Sequence, residues 1–254
     1  MSNKWPRGYL LQQWLVFAAG VGFALYLAFD LHLVTQLIDG DITRLSIVIL
    51  LLLVGGLVHG AQRAVTLSRE LDNLYRISDQ YDFSQRVQPL LALGHHEPER
   101  RNSLVEAYLG ACALTLDRQH SHGAEVAVTQ NLTDVFHERI TASYEFGWFL
   151  TNLSIRLGLL GTVVGFILML RSAVVIESIE FSTVQNLLTE MTAGMGVALN
   201  TTLVGLIVSA VLSIQYLWLD YGARRLIADT VFFVERDMTE GIIRRETPAP
   251  SAAV

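Results

Sequence analysis

Four stretches of this chain are long enough and dry enough to cross a bilayer, and that limits the fold more than any other feature. A crossing takes about 20 apolar residues at 1.5 Å each. The stretches run from about Leu10 to Phe29, Leu45 to Ala61, Leu157 to Ile176 and Met191 to Leu219. In hydrocarbon the backbone must satisfy its own hydrogen bonds, so each is expected to be a helix. Composition agrees, with 52% hydrophobic residues, 17% charged residues and a mean hydropathy of +0.41. An ordinary soluble domain carries about 25% charge. The net charge of −6 argues against nucleic acid, which selects basic surfaces. The single cysteine, Cys112, excludes a disulfide framework and a multi-cysteine zinc site. Lys4 and Arg7 precede the first stretch as they would in a signal peptide, but no small-residue cleavage site follows, so it is kept as a span. Arg171 interrupts the third stretch close enough to its end to snorkel to the interface.

Lysine and arginine set the expected orientation. The N-terminal stub holds Lys4 and Arg7, the 62–156 connection holds nine arginines, and the tail after Leu219 holds five. That places 16 of the 18 basic residues on one side. The segments 30–44 and 171–190 carry one arginine each among several acids. Both termini and the large connection are therefore expected on the cytoplasmic side of the membrane.

The connection carries apolar residues at helical spacing: Leu67, Leu71, Leu74 and Ile77, then Leu104, Ala107 or Tyr108, Ala111 and Leu114 or Thr115. Pro89, Gly94 and Pro98 break the pattern between them. A third helix is expected to start near Thr129 and to run through Phe136, Ile140, Tyr144 and Trp148 into the third span. The tail from 220 to 245 has an amphipathic pattern, with Leu226, Thr230, Phe233 and Met238 apart from its charges. The expected fold is an all-α integral membrane protein with a helical cytoplasmic domain between spans two and three. Its parts are a stub and hairpin over 1–61, the inner domain over 62–152, a second hairpin over 153–219 and an amphipathic helix with a flexible tail over 220–254.

The last two spans carry more than an anchor needs. Ser154, Gly158, Gly161, Thr162 and Gly165 fall on adjoining positions of the third. Gly194, Ala198, Thr201, Thr202, Gly205 and Ser209 recur at three- and four-residue spacing along the fourth. Small residues let membrane helices approach closely, so tight packing accounts for the glycines. The threonines are open to two readings, packing or the wall of a polar route, because a threonine hydroxyl can also bond a carbonyl one turn back.

Leu157–Gly158–Leu159–Leu160–Gly161–Thr162–Val163–Val164–Gly165 resembles the third-span motif of the MotA/TolQ/ExbB family, and Met195 to Leu206, through Asn200–Thr201–Thr202, resembles its second pore-lining span. The likeness covers about residues 130–225, and the four-span layout is closest to the flagellar stator subunits of that family. The resemblance implies a homopentamer around single-span partner helices of the MotB, TolR or ExbD kind, each bearing an intramembrane aspartate. It implies an ion pathway past Thr162 and Thr202, with Thr201 and Asn200 beside them, and helix packing through Gly158, Gly161, Gly165, Gly194, Ala198, Gly205 and Ser209. The transported ion would be a proton or sodium, and no cofactor is implied. Two departures stand out: Val197 lies where TolQ and ExbB carry glutamate, and no proline occurs between Pro98 and Pro248, whereas flagellar stators have prolines at the inner ends of these spans.

The residues add one requirement of their own. An ionised side chain at mid-bilayer costs roughly 2.5–3.5 kcal/mol on insertion scales. This chain places no Asp or Glu inside its first three spans, and Glu190 lies at the outer edge of the fourth. A titrating acid must come from another polypeptide. Set against this is a non-conducting membrane scaffold that uses the same small-residue packing. His95–His96 with Glu97 and Glu99, and His120 with His122 in an exposed loop, lack metal-ligand spacing. His59 is expected to be a satisfied interfacial histidine. No nucleophile elbow, phosphate loop or kinase signature occurs, so an enzyme is not expected.

Overall fold

The computed structural model describes residues 9–39, 41, 43–80, 103–122, 127–173 and 181–238. They form six α-helices: α1 (Tyr9–Asp30), α2 (Leu33–Asp39), α3 (Leu45–Gln80), α4 (Leu104–His122), α5 (Ala127–Ala173) and α6 (Phe181–Phe233), closed by a π-helical turn at Val234–Met238. No strand occurs among the described residues. Four helices are long and apolar enough to span a membrane: α1, α3, α5 and α6. The protein is an all-α membrane protein.

Several helices differ from their expected bounds. α6 runs unbroken through the proposed end of the fourth span at Leu219 and takes in most of the tail pattern. Nothing stops it there: Gly222 is the sole helix-weakening residue nearby, and it is packed against Leu10 and Leu67. α5 begins at Ala127, two residues before the expected start, and continues through the third span to Ala173. The segment 30–44, read from its charges as a short acidic connection between spans, contains α2. His32 and Arg44 sit on either side of α2 with φ of 56°, which lets the chain turn sharply at both ends. His120 and His122 lie in the last turn of α4 rather than in a loop. His95, His96 and the 81–102 break lie outside the described residues.

Two compact units are present. One comprises residues 13–62 and 144–218; the other comprises 63–143 and 219–254 with the first 12 residues. In the first unit, α3 buries Ser46, Ile49, Leu53, Gly56 and Gly60 at three- and four-residue spacing. Val48, Leu51, Val54 and Val58 on its other faces are exposed. A helix apolar on all sides, with small residues inward and large ones outward, suits hydrocarbon rather than water. The start of α3 is tied by Asp41, whose carboxylate accepts from the Thr43 hydroxyl and amide (3.0 Å) and from the Ser46 amide (2.6 Å). Burial alone would raise this carboxyl; the bonds from Thr43 and Ser46 outweigh it and hold the group below the usual carboxylate range.

In the second unit, Leu67, Leu71 and Leu74 are buried as their spacing implies, as are Phe136 and Ile140 on α5 and Leu226, Thr230 and Phe233 on α6. The buried face of α4 is Val105, Tyr108, Leu109 and Cys112, one position round from the expected face through Leu104, which is 36% exposed. Glu70 sets that rotation. Its carboxylate accepts from the amides of Leu104 (3.0 Å) and Val105 (3.1 Å) and from the Ser103 hydroxyl, closing the N-terminus of α4. Ser103 caps in turn by accepting from the Glu106 amide, the Ser-x-x-Glu arrangement of a capping box with Glu70 acting from another helix. Tyr108 stacks on Phe136 at 4.4 Å and shares a hydrogen bond with Thr133. Burial pushes the Cys112 thiol up to about 11.

Candidate functional site: the seam between α5 and α6

Both expected motifs face each other across one helix pair. Ser154, Gly158, Gly161 and Gly165 on α5 are buried, and so are Gly194, Thr201, Gly205 and Ser209 on α6, with Ala198 half-buried between them. The backbones touch at two levels. A Cβ on Gly205 would stand 2.8 Å from the Ser154 carbonyl oxygen and 2.9 Å from Gly158 Cα. One on Gly165 would stand 2.7 Å from the Ala198 amide and 2.8 Å from the Gly194 carbonyl oxygen. Approach this close is available only where side chains are missing, which is why the glycines lie where they do.

The three threonines take separate roles in this geometry. Thr201 is fully buried; its hydroxyl donates to the Val197 carbonyl (2.9 Å) and fits against Gly161, where a Cβ would come within 2.1 Å of Thr201 Oγ1. Thr202 is half-buried and reaches across the seam to donate to the Gly158 carbonyl at 3.0 Å. Thr162 is half-buried and donates to Leu159 O at 2.6 Å. Of the three, Thr162 lines an open groove of about 400 Å³, together with Val163, Gly165, Phe166, Met169, Met195 and Ala198. Everything in that wall except Thr162 is apolar. Asn200 is not brought to the groove. It lines a second cavity, among residues of α1, α2 and α3.

Adjacent helical residues point about 100° apart, and accordingly Thr201 is buried in the seam while Thr202 bridges it. Each seam hydroxyl with an identified bond has given its proton to a carbonyl: Thr151 to Gly147, Ser154 to Leu150, Thr201 to Val197 and Thr202 to Gly158. Residues 157–170 of α5 and 191–219 of α6 contain no ionisable acid or base other than Tyr216.

Farther along α6 lies a polar cluster that the spacing of the motifs did not reveal. Gln215 Nε2 donates to the Gly56 carbonyl at 2.9 Å, and the Tyr216 hydroxyl donates to the same oxygen at 3.1 Å. His59 Nδ1 lies 3.0 Å from that hydroxyl, and its ring meets Phe146 edge-on. Gly60 and Gly147 make room: a Cβ on the first would strike Gln215, and one on the second would strike the Tyr216 ring. His59 is thus a partnered histidine. The signal available in the sequence was a Gln–Tyr pair inside a span, opposite glycines on two others.

The fold is that of a helical membrane protein whose hydroxyl-bearing, glycine-packed helix pair carries no acid in its facing stretches, 157–170 and 191–219. Residues 101–230 match the MotA/TolQ/ExbB proton channel family, and the chain belongs to it. Members of that family are channel-type subunits of energy-transducing complexes that work with a partner subunit. Comparison with curated proteins and with solved structures gives no match.

Proposed function

We propose that this protein is the channel-forming subunit of an ion-driven motor unit in a bacterial inner membrane. It assembles as a homopentamer around single-span partner helices, each carrying one intramembrane aspartate, with its own termini and the 62–152 segment in the cytoplasm. The observation that carries the reading is Thr162, a lone hydroxyl in an otherwise apolar groove between stretches of α5 (157–170) and α6 (191–219) that hold no carboxylate. Such a wall suits an apolar helix bearing one carboxyl.

The chemistry then follows from this chain's own residues. A carboxylate beside Thr162 can accept the hydrogen bond that the hydroxyl now donates to Leu159 O, because that carbonyl is also an ordinary helical acceptor. Once the acid is protonated, its charge no longer resists the hydrocarbon around it, and the hydroxyl can return to Leu159. Each charge crossing releases about 2.3 kcal/mol per 100 mV, several times thermal energy, which biases the direction of the step. A proton fits better than sodium. Sodium would need several oxygens to replace its hydration shell, and here Thr201 is turned into the seam, leaving Thr162 alone on the groove.

The test is proton uptake into liposomes holding the chain with its single-span partner, driven by a potassium-diffusion potential. Thr162→Val should cut uptake at least tenfold while the purified assembly keeps its mass and partner content. Uptake at the wild-type rate in that variant would refute the reading. A wild-type assembly that forms but takes up no protons would favour the scaffold.

A further inference from the structure

The second cavity of the membrane unit plays no part in the ion reading. It measures about 330 Å³, within the range of about 300–1,000 Å³ typical of pockets that hold small molecules. Leu25, Val34, Leu53, Leu203 and Ile207 are among its walls, and Asn200 is the single polar residue there. Leu203 and Ile207 are 54% and 55% exposed, so the cavity opens onto the outside of the unit, which in a bilayer is hydrocarbon.

Asn200 is out of place in such a wall. Among the described residues its amide has no hydrogen-bond partner. An amide facing hydrocarbon without a partner is strongly disfavoured. Its depth limits what could pair with it. Asn200 lies nine residues along α6 from Met191, the first residue past the charged edge at Glu190, about 14 Å at 1.5 Å per residue and so near mid-bilayer. The hydrocarbon core is about 30 Å thick. The ester and headgroup oxygens of a bilayer phospholipid stay near the interface and do not reach that level. A bare acyl tail would fill the space and leave the amide unpaired.

We propose that this cavity binds a lipid-soluble molecule with an apolar chain and one hydrogen-bonding oxygen, which the Asn200 amide holds inside the membrane. A free fatty acid and an isoprenoid quinone share that chemistry.

The test uses the full chain, purified in maltoside micelles, and its unfolding midpoint with three probes: palmitate, decylubiquinone and, as an oxygen-free control, hexadecane. A ligand that binds only the folded state raises the midpoint saturably. At least one oxygen-bearing probe should raise it by several degrees and hexadecane should not; the probe giving the larger rise identifies the source. Asn200→Leu should reduce that rise to the hexadecane level. Leu203→Trp, at an exposed position, should block the mouth and abolish the rise while the midpoint without probe stays at the wild-type value. Equal responses to all three probes, no response to any, or a full response in Asn200→Leu would overturn the proposal. Thr162→Val, which should lose proton uptake under the ion reading, should keep the full midpoint rise, so the failure of one reading is separate from the failure of the other.

Discussion

α6 solves two packing problems by opposite means. From Gly194 to Ser209 it meets α5 with small residues on small residues, and main chain lies against main chain. From Leu212 to Tyr216 it meets its neighbours with large side chains seated in hollows left by Gly56, Gly60 and Gly147. In the first stretch the identified hydroxyl bonds run to carbonyls of the same helix, apart from the single Thr202 crossing. In the second, the Gln215 amide nitrogen and the Tyr216 hydroxyl reach across to α3. The difference is one of compliance. A side chain can rotate away from an intrusion, whereas a backbone can only be pushed apart.

The largest expected effect follows directly. Gly205→Ala sets a methyl group 2.8 Å from the Ser154 carbonyl and 2.9 Å from Gly158 Cα, atoms that cannot move without separating the helices. Overpacking of this kind costs about 1–3 kcal/mol, and the upper end is expected here. The unfolding midpoint in micelles should fall accordingly, and proton uptake should be lost with it. A wild-type midpoint would mean that the two backbones are not in contact.

Gly60→Ala should cost less, although the added methyl group would overlap Gln215 more severely on paper. Gln215 can swing aside, giving up its bond to Gly56 O and leaving a buried amide unpaired, at a cost of about 1–3 kcal/mol. The double variant Gly60→Ala/Gln215→Ala should recover part of the loss, because the offending amide is gone. Strict additivity in that cycle would contradict the side-chain account. Tyr216→Phe removes the bonds to Gly56 and His59 and keeps the ring in its hollow, so about 1 kcal/mol is expected from the same midpoint measurement. Thr201→Val should matter least, about 0.5 kcal/mol, since the Val197 carbonyl it releases keeps its helical donor. Proton uptake should survive that change. If uptake fails while the midpoint holds, Thr201 acts in the route and the assignment of the groove to Thr162 alone is wrong.

Much of this was legible in the residues. Four apolar runs give four spanning helices, and the small-residue stripes of α5 and α6 do meet, because stripe spacing depends only on helical period. Leu67, Leu71 and Leu74 are buried for the same reason. What the spacing could not supply was the rotation of each helix about its own axis. Leu104 and Val105 differ by one position, and Glu70, 35 residues before Val105, decides between them by binding the end of α4. Thr201 and Thr202 are neighbours in the chain, yet one is locked in the seam and the other bridges it. Asn200, one residue earlier again, looks into a separate cavity. The Gln215–Tyr216–His59 cluster joins residues more than 150 positions apart and leaves no periodic trace.

Most hydroxyls along the seam are already committed to carbonyls of their own helices. Such a helix pair has few loose bonds left to exchange between its members, so its two helices are held in one register by contact between their main chains.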